Sequence, residues 1–135
     1  MKPNFRVKCP GCGKVSNIEG NGAPCPSCGQ PVPFAPDACV YVYRQGSFAG
    51  IANGFELYIN GEGVGLIGNK ELLCFPLPYG TYKFHCACGM NRKSNDPVFT
   101  LTPQNRVVYQ KVHMKAGMIQ NSFIFEDIDP KLLEL

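Results

Sequence analysis

The sequence predicts a mostly β protein in two parts, a small cysteine-stapled unit followed by an antiparallel β-sandwich. Three observations predict it. Cys9-Pro10-Gly11-Cys12-Gly13 is answered by Cys25-Pro26-Ser27-Cys28-Gly29, with twelve residues between Cys12 and Cys25. Seven of the twelve prolines fall in residues 1–36, ending in the dense run Gln30-Pro31-Val32-Pro33-Phe34-Ala35-Pro36. Beyond it the chain breaks into short alternating or apolar runs separated by turn residues, with almost no helical periodicity. At 135 residues there is room for one ordinary domain and a small attachment.

Taken in order, Phe5 and Val7 alternate with Asn4, Arg6 and Lys8, which predicts a strand leading into the first Cys-x-x-Cys. Each Cys-x-x-Cys bends the backbone so that two sulfurs converge, and two facing pairs complete a tetrahedron around one ion. The glycine after each second cysteine supplies the positive φ that such a turn needs. Lys14 to Ile18 predicts a second strand, stopped by Gly20-Asn21-Gly22. The candidate metal ligands are therefore Cys9, Cys12, Cys25 and Cys28, and one structural Zn(2+) is the expected ion. Iron in a rubredoxin-like centre is the less favoured occupant, because the loop between the pairs is short and lacks an aromatic pattern. A thioredoxin-type redox pair is disfavoured too, since neither motif opens a helix.

This N-terminal stretch, about residues 4–34, resembles the zinc-ribbon family, specifically the short Cys-Pro-x-Cys-Gly ribbons that bacterial proteins carry at one end. The organisation expected is ribbon over 1–30, proline-stiffened linker over 31–37 and β-sandwich over 38–135. An extended seven-residue spacer of this composition reaches some 20 Å at about 3.1 Å per residue.

In the second part, Ala38 to Arg44 predicts a strand with Cys39, Tyr41 and Tyr43 on one face and Val40 and Val42 on the other. Phe55 to Ile59 runs into Asn60-Gly61, the dipeptide of type I′ hairpins, with a partner strand from about Val64. Further strands are expected over Leu72–Leu77, Thr81–Cys88, Val98–Thr102, Arg106–Met114 and Met118–Phe125. Asp129-Pro130 begins a short capped helix. The run Phe55 to Gly65, followed by Leu77-Pro78-Tyr79-Gly80-Thr81-Tyr82, resembles the hairpin and turn of PEGA-like bacterial domains. Ala38 to Arg44 is similar to the start of a β-sandwich domain of unknown function common in bacterial lipoproteins. That resemblance implies a sandwich over roughly 38–126 and no catalytic residue.

Composition narrows the function. Net charge is +3, but residues 37–135 balance nine Lys/Arg against nine Asp/Glu, so the surplus lies in the ribbon on Lys2, Arg6, Lys8 and Lys14. Four thiolates around a divalent ion leave the loaded ribbon near +1, a weak electrostatic footprint for nucleic acid. The N-terminus has no apolar signal-peptide core and no stretch reaches about 20 apolar residues, so a cytoplasmic protein with reduced thiols and no membrane insertion is expected.

Other constellations read as structural. Gly63-Val64-Gly65-Leu66-Ile67-Gly68 matches G-x-G-x-x-G without the following helix that holds a pyrophosphate, so its glycines are assigned to a hairpin and bulge. Cys39, Cys74, Cys86 and Cys88 are assigned to the core, because Cys-x-Cys on one strand face lacks metal-knuckle spacing. His85 lies on the strand face opposite Cys86, which argues against a Cys-His nucleophile. The acids from Glu126 to Asp129 are assigned to a solvated edge. The sum is a non-enzymatic bacterial binding or adaptor module with a protein partner. Nucleic-acid binding through the ribbon and iron redox chemistry are the two alternatives.

Overall fold

The computed structural model describes residues 1–34, 37–46 and 54–135. Ala35 and Pro36, inside the expected linker, lie outside them. Among the described residues, eleven strands and one short 3₁₀ helix make up the regular structure: β1 (Asn4–Lys8), β2 (Val15–Ile18), β3 (Ala38–Arg44), β4 (Phe55–Ile59), β5 (Glu62–Ile67), β6 (Leu72–Leu77), β7 (Gly80–Ala87), β8 (Lys93–Ser94), β9 (Val98–Leu101), β10 (Val107–Lys115) and β11 (Ser122–Asp127). The helix, Pro130–Leu133, is capped by Asp129, whose carboxylate accepts from the Lys131 N–H.

The strands form two facing sheets, one ordered β2-β1-β6-β3-β10-β11-β8 and the other β5-β4-β7-β9. Alternation decides which side chains meet between them. From β3 inward come Val40 and Val42, from β6 Leu73 and Phe75, and from β10 and β11 Val112, Phe123 and Phe125. They pack on Phe55, Leu57, Ile59, Phe84 and Cys86 of the smaller sheet. Phe84 is wholly buried, with its ring centroid 5.8, 5.6 and 6.4 Å from those of Phe75, Phe99 and Phe125 in edge-on arrangements. Arg44 ends β3 on this inward face. It is buried with its guanidinium 3.6 Å from the Phe55 ring centroid, and Nη1 donates to the Ile67 carbonyl.

The sandwich is the architecture expected, but the larger sheet is mixed where an antiparallel one was predicted. β10 runs parallel to β3 over six residue pairs, β1 parallel to β6, and β11 parallel to β8. Parallel neighbours need a long connection, and the excursion of the chain through the smaller sheet supplies one between β3 and β10. The last strand also starts later than expected. Met118 to Gln120 form a bend, and the apolar pair Met118-Ile119, which looked like the start of a strand, faces solvent.

The G-x-G-x-x-G stretch forms β5 with a register irregularity against β4, as the hairpin-and-bulge reading required. Asn60 and Gly61 both have positive φ, 53° and 80°, as a type I′ turn demands. Gly65, at φ 88°, lets Arg6 approach: a Cβ there would lie 2.8 Å from Nη1.

The ribbon joins the sandwich as part of one sheet, Phe5 of β1 pairing with Cys74 of β6. It has its own small core of Val7, Ile18 and Val32 beside Cys9 and Cys25, with Phe5 and Phe34 against it. Val32, in the stretch expected to bridge the two parts, exchanges backbone hydrogen bonds with Gly22 and Ala23 and is fully buried. Phe34 stacks on Phe5 with centroids 5.4 Å apart. Among the described residues no helix is long and apolar enough to cross a membrane.

Candidate metal centre

The two knuckles repeat one backbone pattern. In the first, the Gly13 N–H donates to the Cys9 carbonyl and the Cys9 N–H to Lys14. In the second, the Gly29 N–H donates to Cys25 and the Cys25 N–H to Gln30. Gly13 and Gly29 sit at φ 74° and 78°, so both turns close in the left-handed conformation that a side chain resists. β1 and β2 pair over four residues and hold the first knuckle, while the Pro24–Pro31 bridge closes the second.

All four sulfurs consequently lie within 4.8 Å of one another, the only such group of three or more His, Cys, Asp or Glu ligands among the described residues. Across the knuckles Cys9 Sγ is 3.6 Å from Cys28 Sγ, and Cys12 Sγ is 3.7 Å from Cys25 Sγ. A tetrahedral ion with metal–sulfur bonds of about 2.3 Å needs sulfur–sulfur edges of about 3.8 Å, so the cage is the size of a metal ion. Cys9 and Cys25 are buried in the ribbon core and Cys12 and Cys28 face outward.

The electrostatics favour thiolate at Cys25 and Cys9. The backbone N–H groups of Cys28 and then Ser27 lower the Cys25 thiol to about 6, and the Cys12 N–H is the main cause of a lowered Cys9. Cys28 goes the other way: the Gln30 N–H favours its thiolate, but desolvation and the sulfurs of Cys9, Cys25 and Cys12 push it up to about 11. A cation at the centre relieves that sulfur–sulfur repulsion and makes all four deprotonated ligands. Four sulfurs and no open position form a closed site, suited to stapling the chain and not to activating water.

Two of the four cations that give the ribbon its surplus are engaged within the protein. Lys8 Nζ is 3.0 Å from Glu62, and Arg6 donates to Asn17 and, at 2.8 Å, to the Val64 carbonyl. Burial lowers the Arg6 guanidinium pKa, with Glu71 opposing the fall. These contacts tie β1 to β5 across a cleft of about 350 Å³, floored by Val7, Ile59, Phe75 and Leu77.

The remaining candidates do not converge. Cys86 is buried between the sheets and Cys88 packs against the same core, as expected, and burial raises the Cys86 thiol. Cys74 is buried as well, but it faces away from that core, and Cys39 is half-exposed beside it. His85 points away from Cys86 and its Nδ1 lies 2.7 Å from Asp96. Of the acids, Glu126 lies 3.6 Å from Lys111, Asp127 accepts from buried Gln110 and Asp129 caps the helix.

Sequence reasoning passed over the outer end of the sandwich. Met90, Met118 and Ile119 are 94, 105 and 100 % exposed. They sit on two connections, β7–β8 and β10–β11, joined where the Asn121 N–H donates to Asn91 Oδ1 at 3.1 Å. Comparison with protein-family models, with curated proteins and with solved structures finds no match to this chain.

Proposed function

We propose that this chain is a non-enzymatic binding or adaptor protein of the bacterial cytoplasm. In this reading the four cysteines hold one structural zinc ion, and the ribbon braces a PEGA-like sandwich that engages a protein partner through its loop end. The observation that carries the reading is the trio Met90, Met118 and Ile119, fully solvated on two mutually tethered loops. Large apolar side chains left in solvent on two linked loops are available to be covered by a partner.

Charge gives the partner its character. Ser122 is paired with Lys115 on one side and Lys93 on the other, so the two lysines flank it from the neighbouring strands β10 and β8. Neither has an acidic partner among the described residues. An apolar centre with a cationic margin suits a protein surface carrying an apolar hollow rimmed by carboxylates, the rim charges acting mainly on the rate of encounter. Engagement of Lys8 and Arg6 inside the molecule counts against phosphate binding by the ribbon.

The test is a photo-crosslinking residue placed at Met118 or, as control, at Thr100 on β9, in cells producing the protein. A discrete protein adduct from position 118 that weakens with Lys93→Glu and Lys115→Glu is expected. No adduct, or the same adduct from position 100, overturns the reading. Elemental analysis of natively purified protein checks the ion: one colourless zinc per chain is expected, and an absorbing iron centre would replace the structural staple with redox chemistry.

A further inference from the structure

Cys39 and Cys74 were expected in the core, yet the fold sets them on the outward face of the larger sheet. Cys39 pairs with Pro76 and Cys74 with Tyr41, so the two cysteines are diagonal neighbours across β3 and β6. Together with Tyr41, Arg106, Phe5 and Phe34 they line a cavity of about 150 Å³ where the ribbon meets the sandwich. Cys74 is buried at its base, and Cys39 is partly open to solvent. Arg106 is anchored at the rim by its Nε donating to the Asp37 carbonyl at 2.9 Å, which leaves its terminal nitrogens for another group.

We propose that Cys39 is a thiolation site, forming a mixed disulfide with a small carboxylate-bearing disulfide whose carboxylate pairs with Arg106. The surroundings prepare the sulfur for this. The Cys74 thiol above all lowers the Cys39 thiol to about 7; desolvation opposes the fall, and the Tyr41 hydroxyl and Arg106 add to it. Cys74 is pushed far up by the same pairing and by burial, so one sulfur is the nucleophile and the other stays a thiol that stabilises it.

The step balances simply. The Cys39 thiolate attacks one sulfur of the small disulfide, the old sulfur–sulfur bond breaks, and the departing thiolate takes a proton from water. Cys39 is oxidised to the disulfide level and the departing half is reduced to a thiol. The adduct persists because burial holds Cys74 as the neutral thiol, a poor nucleophile toward it, and because a direct Cys39–Cys74 disulfide would be strained. Diagonal neighbours in an antiparallel pair stand about 7–8 Å apart, outside the about 4.4–6.8 Å between Cα atoms that an unstrained disulfide spans.

The experiment treats zinc-loaded full-length protein with oxidised glutathione and maps adducts by peptide mass spectrometry. A single mixed disulfide at Cys39 is expected. First reaction at Cys12, Cys28 or Cys88, or an intrachain Cys39–Cys74 disulfide, overturns the assignment. Arg106→Gln is expected to slow the reaction with oxidised glutathione several-fold more than that with neutral 4,4′-dithiodipyridine; equal slowing removes Arg106 from the site. Cys74 acts as a positioning residue, read from the pH profile of Cys39 alkylation. Its midpoint near pH 7 is expected to move toward the ordinary cysteine value of about 8.5 in Cys74→Ala and to hold in Cys74→Ser, which keeps a hydroxyl donor. An unmoved midpoint in Cys74→Ala refutes that role.

Discussion

Removing the metal should undo the ribbon and spare the sandwich. Besides its cysteines, the ribbon buries three aliphatic side chains, Val7, Ile18 and Val32. At about 1.5–3 kcal/mol each, they contribute roughly 5–9 kcal/mol. A structural zinc in a finger-sized unit contributes about 10–16 kcal/mol of apparent folding energy, so the ion supplies the larger share. Without it the four residue pairs of β1–β2 and the two of β1–β6 are lost. Hydrogen exchange read by mass spectrometry, with and without a strong chelator, follows this directly. Amides of β1 and β2 should exchange freely in the chelated protein and regain protection with added zinc, while β3, β7 and β10 keep theirs. Cys12→Ser should reproduce the chelated pattern. Persistent protection of β1–β2 in metal-free protein, or loss spreading into β4 and β7, would refute the reasoning.

Other substitutions probe the rest of the frame. Phe84→Ala removes a wholly buried ring with three aromatic neighbours and should cost about 3–5 kcal/mol in urea denaturation. Gly65→Ala forces a side chain into a left-handed φ and against Arg6, so a loss of about 1–2 kcal/mol is expected, read as a lower melting temperature. The Tyr58 hydroxyl first, and then Arg92, hold the Glu56 carboxyl below its ordinary value. Its folded-state pKa is depressed, so its contribution to stability is present above about pH 4.3, the unfolded value, and disappears as pH falls through the folded one. Glu56→Gln should therefore be less stable than the parent at pH 7, and the two should converge in acid; a difference that persists there contradicts this account.

Local chemistry was legible in the sequence wherever it acts within a few residues. The knuckle glycines, the Asn60-Gly61 turn, the alternation of β3 and the apolar run of β6 all express short-range sterics or a period-2 pattern. The four sulfurs of the metal site come from two local motifs, which is why their convergence could be anticipated. Pairing between distant strands could not. Nothing in Asn4-Phe5 announces Leu73-Cys74 as its neighbour, and nothing in Val107 announces Cys39. The position of Cys74 followed that blindness: an apolar run suggests burial, but only the placement of β1 tells which side of the sheet covers it. Arg44 was passed over for a related reason, since its burial depends on the Phe55 ring arriving from another sheet. Met118-Ile119 misled in the opposite sense, because two apolar residues beside strand-like neighbours look like a strand whether or not a partner is there to cover them.

The parallel pairing of β1 with β6 also sets an order of events during synthesis. Phe5 leaves the ribosome about 70 residues ahead of Cys74, its partner in the sheet, which at about 5–20 residues per second is a wait of roughly 3–14 s. Both knuckles are complete early in that interval, and their contacts are local, so the ribbon can capture its ion while the sandwich is still being made. β3 waits as long for β10, its parallel neighbour within the sheet. With an ion bound, the nascent chain would have one finished piece in hand while its later strands arrive. That piece receives the edge of β6, so a ribbon that needs its ion to fold would leave this edge open to other chains whenever metal is scarce.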